Sequence, residues 1–136
     1  MLMTQLSHIK PSNFREKIIN AKVRFQVSIP SAMTLVGGSI VKSDQLKVEP
    51  AVVEAIKGEL KKLQSSIPPE ELAIQFDVCQ EVVGFDKGVN LPYDDILNGS
   101  VTRITDLCDK IIDAADVRIH LCYGDSGHKH FCEPED

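Results

Sequence analysis

Three short segments of this chain alternate apolar and polar residues, and long stretches with helical patterns separate them. The segments begin near Arg24, Leu72 and Val117. In each of them the apolar side chains would line one face of a β-strand and the polar side chains the other. Strands separated by helices pair in parallel through right-handed crossovers. The sequence therefore predicts an α/β fold of three parallel βα units.

The polar faces of the three expected strands favour a particular kind of parallel sheet. They carry Gln26, Ser28, Gln75, Asp77, His120 and Cys122. A doubly wound sheet buries both faces and reads as continuous apolar runs. An apolar face toward helices and a polar face opposite is typical of a section of a TIM-type barrel, whose lumen near the strand ends becomes the active site.

The number of units sets a limit, because a closed eight-stranded barrel of this type needs about 250 residues. The chain has 136 residues. We therefore expect a fragment of a barrel, a barrel completed by other copies, or an open three-stranded piece with exposed edges.

The connecting segments predict where helices begin and end. We expect residues 1–22 to form an N-terminal extension with a short helix capped by Asn13, and residues 23–136 to form the partial barrel. In the first crossover, residues 31–42 read as loop because they contain two adjacent glycines. A helix then begins at Pro50, which suits a first turn, and runs to about residue 65.

The second crossover is expected to follow the same plan. Residues 81–92 read as loop, and a helix covers residues 93–113. Its apolar stripe consists of Leu97, Val101, Ile104, Cys108 and Ile111. Recurrence at this spacing is typical of a helix that packs against a sheet.

Composition excludes several classes of function. The net charge of -5 argues against nucleic-acid binding. No run approaches the roughly 20 apolar residues of a membrane span, and the N-terminus lacks the pattern of a signal peptide. The four cysteines are widely and irregularly spaced, which favours reduced thiols in a cytoplasmic protein over a disulfide framework.

His120 and Cys122 are neighbours on one strand face, just before a glycine-containing loop. A nitrogen and a sulfur donor side by side suggest half of a zinc site. The alternative is a structural histidine beside a small apolar thiol. A rival site adds His128, His130 and Cys132 to form a local zinc knot, with a solvated loop as its alternative.

Asp77 lies near the end of the second strand, where barrels of this type place their chemistry. It can act in a site or simply cap a nearby backbone N–H. Glu81 can join it in a polar site, although a solvated surface glutamate is the favoured interpretation. Cys79 and Cys108 read as core thiols.

Three segments also resemble a known family. Residues 24–31, residues 72–77 and the His-x-Cys-Tyr-Gly-Asp string at residues 120–125 resemble the cobalamin-independent methionine synthase-like proteins. That family belongs to a superfamily shared with uroporphyrinogen decarboxylase. The resemblance covers roughly residues 23–136.

The resemblance implies a TIM-type barrel, zinc as cofactor and methyl transfer to a thiol such as homocysteine. His120 and Cys122 match the first two zinc ligands of the family, and Asp77 matches an acidic residue that binds the substrate amino group. The family continues that strand as Asp-Glu-Pro, whereas here Val78 follows Asp77, which implies a different substrate. The family's glutamate and second cysteine ligands would lie beyond residue 136.

The resulting expectation is a truncated methionine-synthase-like segment with little activity as an isolated chain. Its substrates would be a small thiol and a methyl donor. The alternative is a non-catalytic, self-associating metal- or partner-binding module, because an exposed parallel-sheet edge invites pairing into a homo-oligomer. A decarboxylase-like activity is a third option, which the His-x-Cys pair disfavours.

Overall fold

A three-stranded parallel sheet forms the centre of the protein. The computed structural model describes residues 23–88, 91–125 and 127–133. Its strands are β1 (Phe25–Pro30), β2 (Leu72–Val78) and β3 (Asp116–Leu121), in the order β1-β2-β3. Both pairings are parallel, which confirms the predicted α/β class. The expected extension at residues 1–22 and its helix lie outside the described residues.

The core lies on one face of β2, under two long helices. Leu72, Ile74 and Phe76 are fully buried there, in one cluster with Leu60 and Leu107. Leu60 belongs to α2 (Lys42–Ser66) and Leu107 to α4 (Ile96–Cys108). Burial of each such side chain contributes about 1.5–3 kcal/mol, so this face sets the position of both helices.

The prediction of a loop at residues 31–42 is wrong, because α1 (Ala32–Ser39) occupies most of this segment. The side chain of Ser31 caps this helix by accepting a hydrogen bond of 3.0 Å from the backbone N–H of Thr34. Met33 and Val36 are each only 1% exposed. This packing outweighs the helix-weakening effect of the two glycines.

The prediction that a helix begins at Pro50 is also wrong, since α2 begins at Lys42 and Pro50 lies inside it. Proline inside a helix removes one backbone hydrogen bond. Tertiary contacts hold the turns before it. Gln45 is buried and donates 3.0 Å to the backbone carbonyl of Ile40, and buried Glu49 is paired with Arg103.

The prediction of a loop at residues 81–92 fails over its first half, where α3 (Gln80–Lys87) forms. The hydroxyl of Thr34 accepts hydrogen bonds of 3.2 and 3.3 Å from the backbone N–H groups of Cys79 and Gln80. These contacts supply the cap that the local sequence lacks. Gly88 ends the helix in the left-handed conformation, with φ of 62°.

The final helix is shorter than the predicted span of residues 93–113. Asp95 caps it by accepting a 2.9 Å hydrogen bond from the N–H of Asn98, so α4 begins one residue later, at Ile96. Leu97 and Val101 were expected in the core, but they are 52% and 54% exposed. Ile104, Leu107 and Cys108 carry the packing instead. Within the described ranges no helix has the length and apolar character needed to cross a membrane.

The apolar row of β3 is the main departure from the expected packing. Val117, Ile119 and Leu121 are in register with apolar residues of β2 that face the helices. They are nevertheless 43%, 45% and 66% exposed. The buried side chains of both helices converge on β2, which leaves β3 as a partly uncovered edge strand.

Candidate functional site

The face of the sheet opposite the helices carries a network of polar side-chain contacts across all three strands. Gln26 donates 3.0 Å to the side-chain oxygen of Gln75, and Gln75 donates 2.8 Å to Asp77. Arg118 on β3 donates 3.2 Å back to Gln26. The polar face predicted from the alternation is therefore present, and it orients Asp77 from one side.

Asp77 and His120 are direct partners in the register of β2 and β3. The Nδ1 atom of His120 lies 3.1 Å from Oδ1 of Asp77. A carboxylate can only accept, so Nδ1 is the donor and Nε2 of a neutral ring keeps its lone pair. A histidine held through one nitrogen by a carboxylate is the usual arrangement of a metal ligand. The two predicted residues thus meet as a pair.

Cys122 extends this arrangement by one residue beyond β3. Its backbone N–H donates 3.2 Å to the carbonyl of Val78, so it continues the ladder alongside Cys79. The thiols of Cys122 and Cys132 are near enough to the Cys79 thiol to affect it electrostatically. Burial raises the pKa of Cys79 to about 11, and the neighbouring Cys122 adds to this rise.

Cys79 is a neighbour of Cys122 that sequence reasoning missed. It is 6% exposed, as a core thiol should be, and the sequence supported no further role. Its proximity to Cys122 arises from the register of two strands that are more than 40 residues apart in the chain. Knowledge of the register would have found it, because residues that follow paired strand ends lie side by side.

The loop after β3 folds back over these thiols. Gly124 has a φ of 74°, and a Cβ atom there would lie 2.7 Å from the ring of Phe131 and 3.0 Å from the sulfur of Cys79. The backbone N–H of Phe131 donates 2.9 Å to the carbonyl of Tyr123, which closes the loop. A glycine is therefore required where ring and thiol approach the backbone.

The residues of the rival zinc knot separate in this loop. His130 contacts Glu133 at 3.3 Å, and His128 is exposed. Over residues 23–88, 91–125 and 127–133, no three histidine, cysteine, aspartate or glutamate side chains are arranged to hold a metal ion. The donor types of His120 and Cys122 suit zinc, but the described arrangement is not a preformed four-ligand site.

Glu81 is neither a solvated surface residue nor a partner of Asp77. It lies in α3 and is only 4% exposed. Its Oε2 atom accepts a hydrogen bond of 3.2 Å from the hydroxyl of Thr34 in α1. Burial raises the pKa of its carboxyl group.

No protein-family model, no curated protein and no solved structure matches the chain. A functional assignment must therefore be argued from the side chains and their contacts.

Proposed function

We propose that the polar face is a thiol-activating zinc half-site of the methionine-synthase-like kind, with His120 and Cys122 as its zinc ligands. The observation that carries this proposal is the hydrogen bond between Asp77 and Nδ1 of His120, next to Cys122. It directs Nε2 away from the carboxylate, as a metal ligand requires. The reaction class would be methyl transfer to a small thiol such as homocysteine.

Asp77 has a second role in this proposal, as the group that binds the substrate amino group. Gln75 and His120 both contact its Oδ1 atom, at 2.8 and 3.1 Å. Oδ2 is therefore the oxygen that would accept a hydrogen bond from the ammonium group. The carboxylate would orient the histidine and the substrate at the same time.

Zinc, when bound, would lower the pKa of the substrate thiol and so provide a nucleophile at neutral pH. The side chains of this chain would bind and orient. His120 and Cys122 contribute two donors, whereas zinc sites usually have four. We therefore propose weak zinc binding and little turnover by the isolated chain.

The partial-barrel architecture belongs to the same proposal. Its support is the combination of three parallel strands, two covering helices on one face and a polar network on the other. In a barrel of this type the polar face would line the lumen. Further strands would supply the remaining ligands. The proposed substrates are a small thiol and a methyl donor, with no role for nucleic acid or membrane.

A zinc titration against a chromophoric chelator tests the proposal. We expect binding well below the roughly 10–16 kcal/mol of structural four-ligand sites. His120→Ala and Cys122→Ser should each weaken it by at least about tenfold, because each removes one of two donors. His128→Ala and Cys108→Ser are matched controls and should bind as the wild type. Equal affinity in wild type and Cys122→Ser would contradict the proposal, as would robust methyl transfer by the isolated chain with equimolar zinc.

A second candidate function is self-association through the β3 edge, and the exposed apolar row of that strand favours it. Val117, Ile119 and Leu121 are each more than two-fifths exposed on an edge strand. Such an edge presents both unpaired backbone groups and apolar surface to a second copy. Sedimentation should then show a concentration-dependent dimer. Ile119→Lys should abolish it, and Ile112→Lys, which is outside the strand, should not. A monomer at every concentration would contradict this candidate.

A further inference from the structure

A cavity that no residue of the polar face lines has no role in the proposed function. It has a volume of about 250 Å³ and is lined by residues of α1, α2, α3 and α4. Val53, Ile104 and Leu107 form apolar parts of its wall. Its charged members are Glu81, Arg103 and Asp106, and Asp106 already forms ion pairs with Lys57 and Lys110. A concave apolar space with a few convergent polar groups is the usual form of a small-molecule site.

Glu81 is held in a defined position at this cavity. The hydroxyl of Thr34 donates a hydrogen bond of 3.2 Å to its carboxylate, and Ser31, which also lines the cavity, is 2% exposed. This donor orients the carboxylate without neutralising its charge. Burial raises the pKa of Glu81, and the nearby carboxylate of Glu49 raises it further.

The guanidinium of Arg103, which lines the same cavity, is bound to other acceptors. Arg103 forms two hydrogen bonds with Glu49, of 2.5 and 3.2 Å, and a third of 3.2 Å with the carbonyl of Gly99. Its guanidinium also lies 4.2 Å from the centroid of the Tyr93 ring. Glu49, Glu81 and Arg103 together contain two carboxyl groups and one guanidinium, so the charge balance of this trio lacks one cation.

We propose that this cavity binds a small primary amine, with its ammonium group on Glu81 and its short apolar chain among Val53, Ile104 and Leu107. The volume of about 250 Å³ accommodates an ammonium group and a short apolar chain. The ammonium supplies the missing cation through a charge-assisted hydrogen bond, and the hydroxyl of Thr34 holds the acceptor in place. This site is independent of the zinc proposal.

A titration with 3-methylbutylamine, followed by two-dimensional amide NMR, tests this inference. The matched probe is 3-methylbutan-1-ol, which has the same apolar chain but no charge. We expect saturable shifts at Glu81 and Arg103, with the amine binding at least about tenfold more tightly than the alcohol. An amine that causes no saturable shift, or binds no better than the alcohol, would overturn the inference.

Two variants test whether the carboxylate of Glu81 causes the preference for the amine over the alcohol. Glu81→Gln keeps an acceptor for the Thr34 hydroxyl and removes the charge, so the preference for amine over alcohol should disappear. Glu70→Gln changes an exposed glutamate and should leave it intact. A retained preference in Glu81→Gln would refute the role of this residue. If that variant does not fold, the comparison of amine and alcohol on the wild type still decides the matter.

Discussion

The ion pair between Arg103 and Glu49 joins α4 to α2, and its removal gives the most informative stability prediction. The side chain of Glu49 is only 8% exposed, and that of Arg103 is 30% exposed. Arg103→Met would leave the Glu49 carboxylate buried without its cation. Removal of one partner of a buried pair costs about 3–5 kcal/mol. The partial exposure of the guanidinium places the expected loss at the lower end, near 3 kcal/mol.

The second half of this prediction concerns the double variant. Glu49→Leu in addition to Arg103→Met removes the stranded charge and fills part of its space with apolar volume. Replacement of a whole buried pair by apolar residues is often neutral. We therefore expect the double variant to regain most of the loss and to lie within about 1 kcal/mol of the wild type.

The measurement is urea unfolding followed by far-ultraviolet circular dichroism, since the chain contains no tryptophan to report by fluorescence. Lys62→Met is the control, because Lys62 forms an exposed pair with Glu59 that should contribute little. A loss below about 1 kcal/mol for Arg103→Met would refute the reasoning. So would a double variant as unstable as the single one.

Three further predictions follow from burial and close contact. Gly99→Ala places a Cβ atom 2.6 Å from the ring of Tyr93. The resulting overpacking should cost about 1–3 kcal/mol, which is more than the gain of about 1 kcal/mol from replacing glycine by alanine in a helix. Gly99→Ala should therefore have a lower free energy of unfolding than the wild type, and a higher one would contradict this close contact. Leu60→Ala, at a fully buried position, should cost about 2–5 kcal/mol in urea unfolding, against about 0.5 kcal/mol or less for exposed Leu97→Ala. Glu81 has a raised folded-state pKa, so the native state binds more protons and wild-type stability should fall as pH rises above the ordinary glutamate range. The free energy of unfolding of Glu81→Gln should not fall with pH in this way. Parallel pH profiles of the unfolding free energy for the wild type and Glu81→Gln would contradict the prediction.

The strands could be predicted because their determinants are local. The alternation of β2 placed Ile74 and Phe76 on one face and Asp77 on the other, and the structure has the same division. Parallel pairing followed from the intervening helices. The contact between Asp77 and His120 then follows from register, since both lie near the ends of neighbouring strands.

The helices α1 and α3 could not be predicted because tertiary contacts determine them. The hydroxyl of Thr34, which belongs to α1, caps α3, and no sequence pattern within α3 predicts such a contact. The burial of Glu81 and the proximity of Cys79 to Cys122 also depend on segments that are distant in the sequence. Residues whose environment is built by distant segments are those for which sequence reasoning gave the wrong or an incomplete result.

Zinc X-ray absorption on the zinc-loaded protein tests the central proposal most directly. We predict a first shell with nitrogen at about 2.0–2.1 Å and sulfur at about 2.3 Å, as His120 and Cys122 would supply. Cys122→Ser should lose sulfur scattering relative to the wild type, and Cys108→Ser should not. A shell of light atoms alone in the wild type, or unchanged sulfur in Cys122→Ser, would contradict the assignment of a zinc half-site on this face.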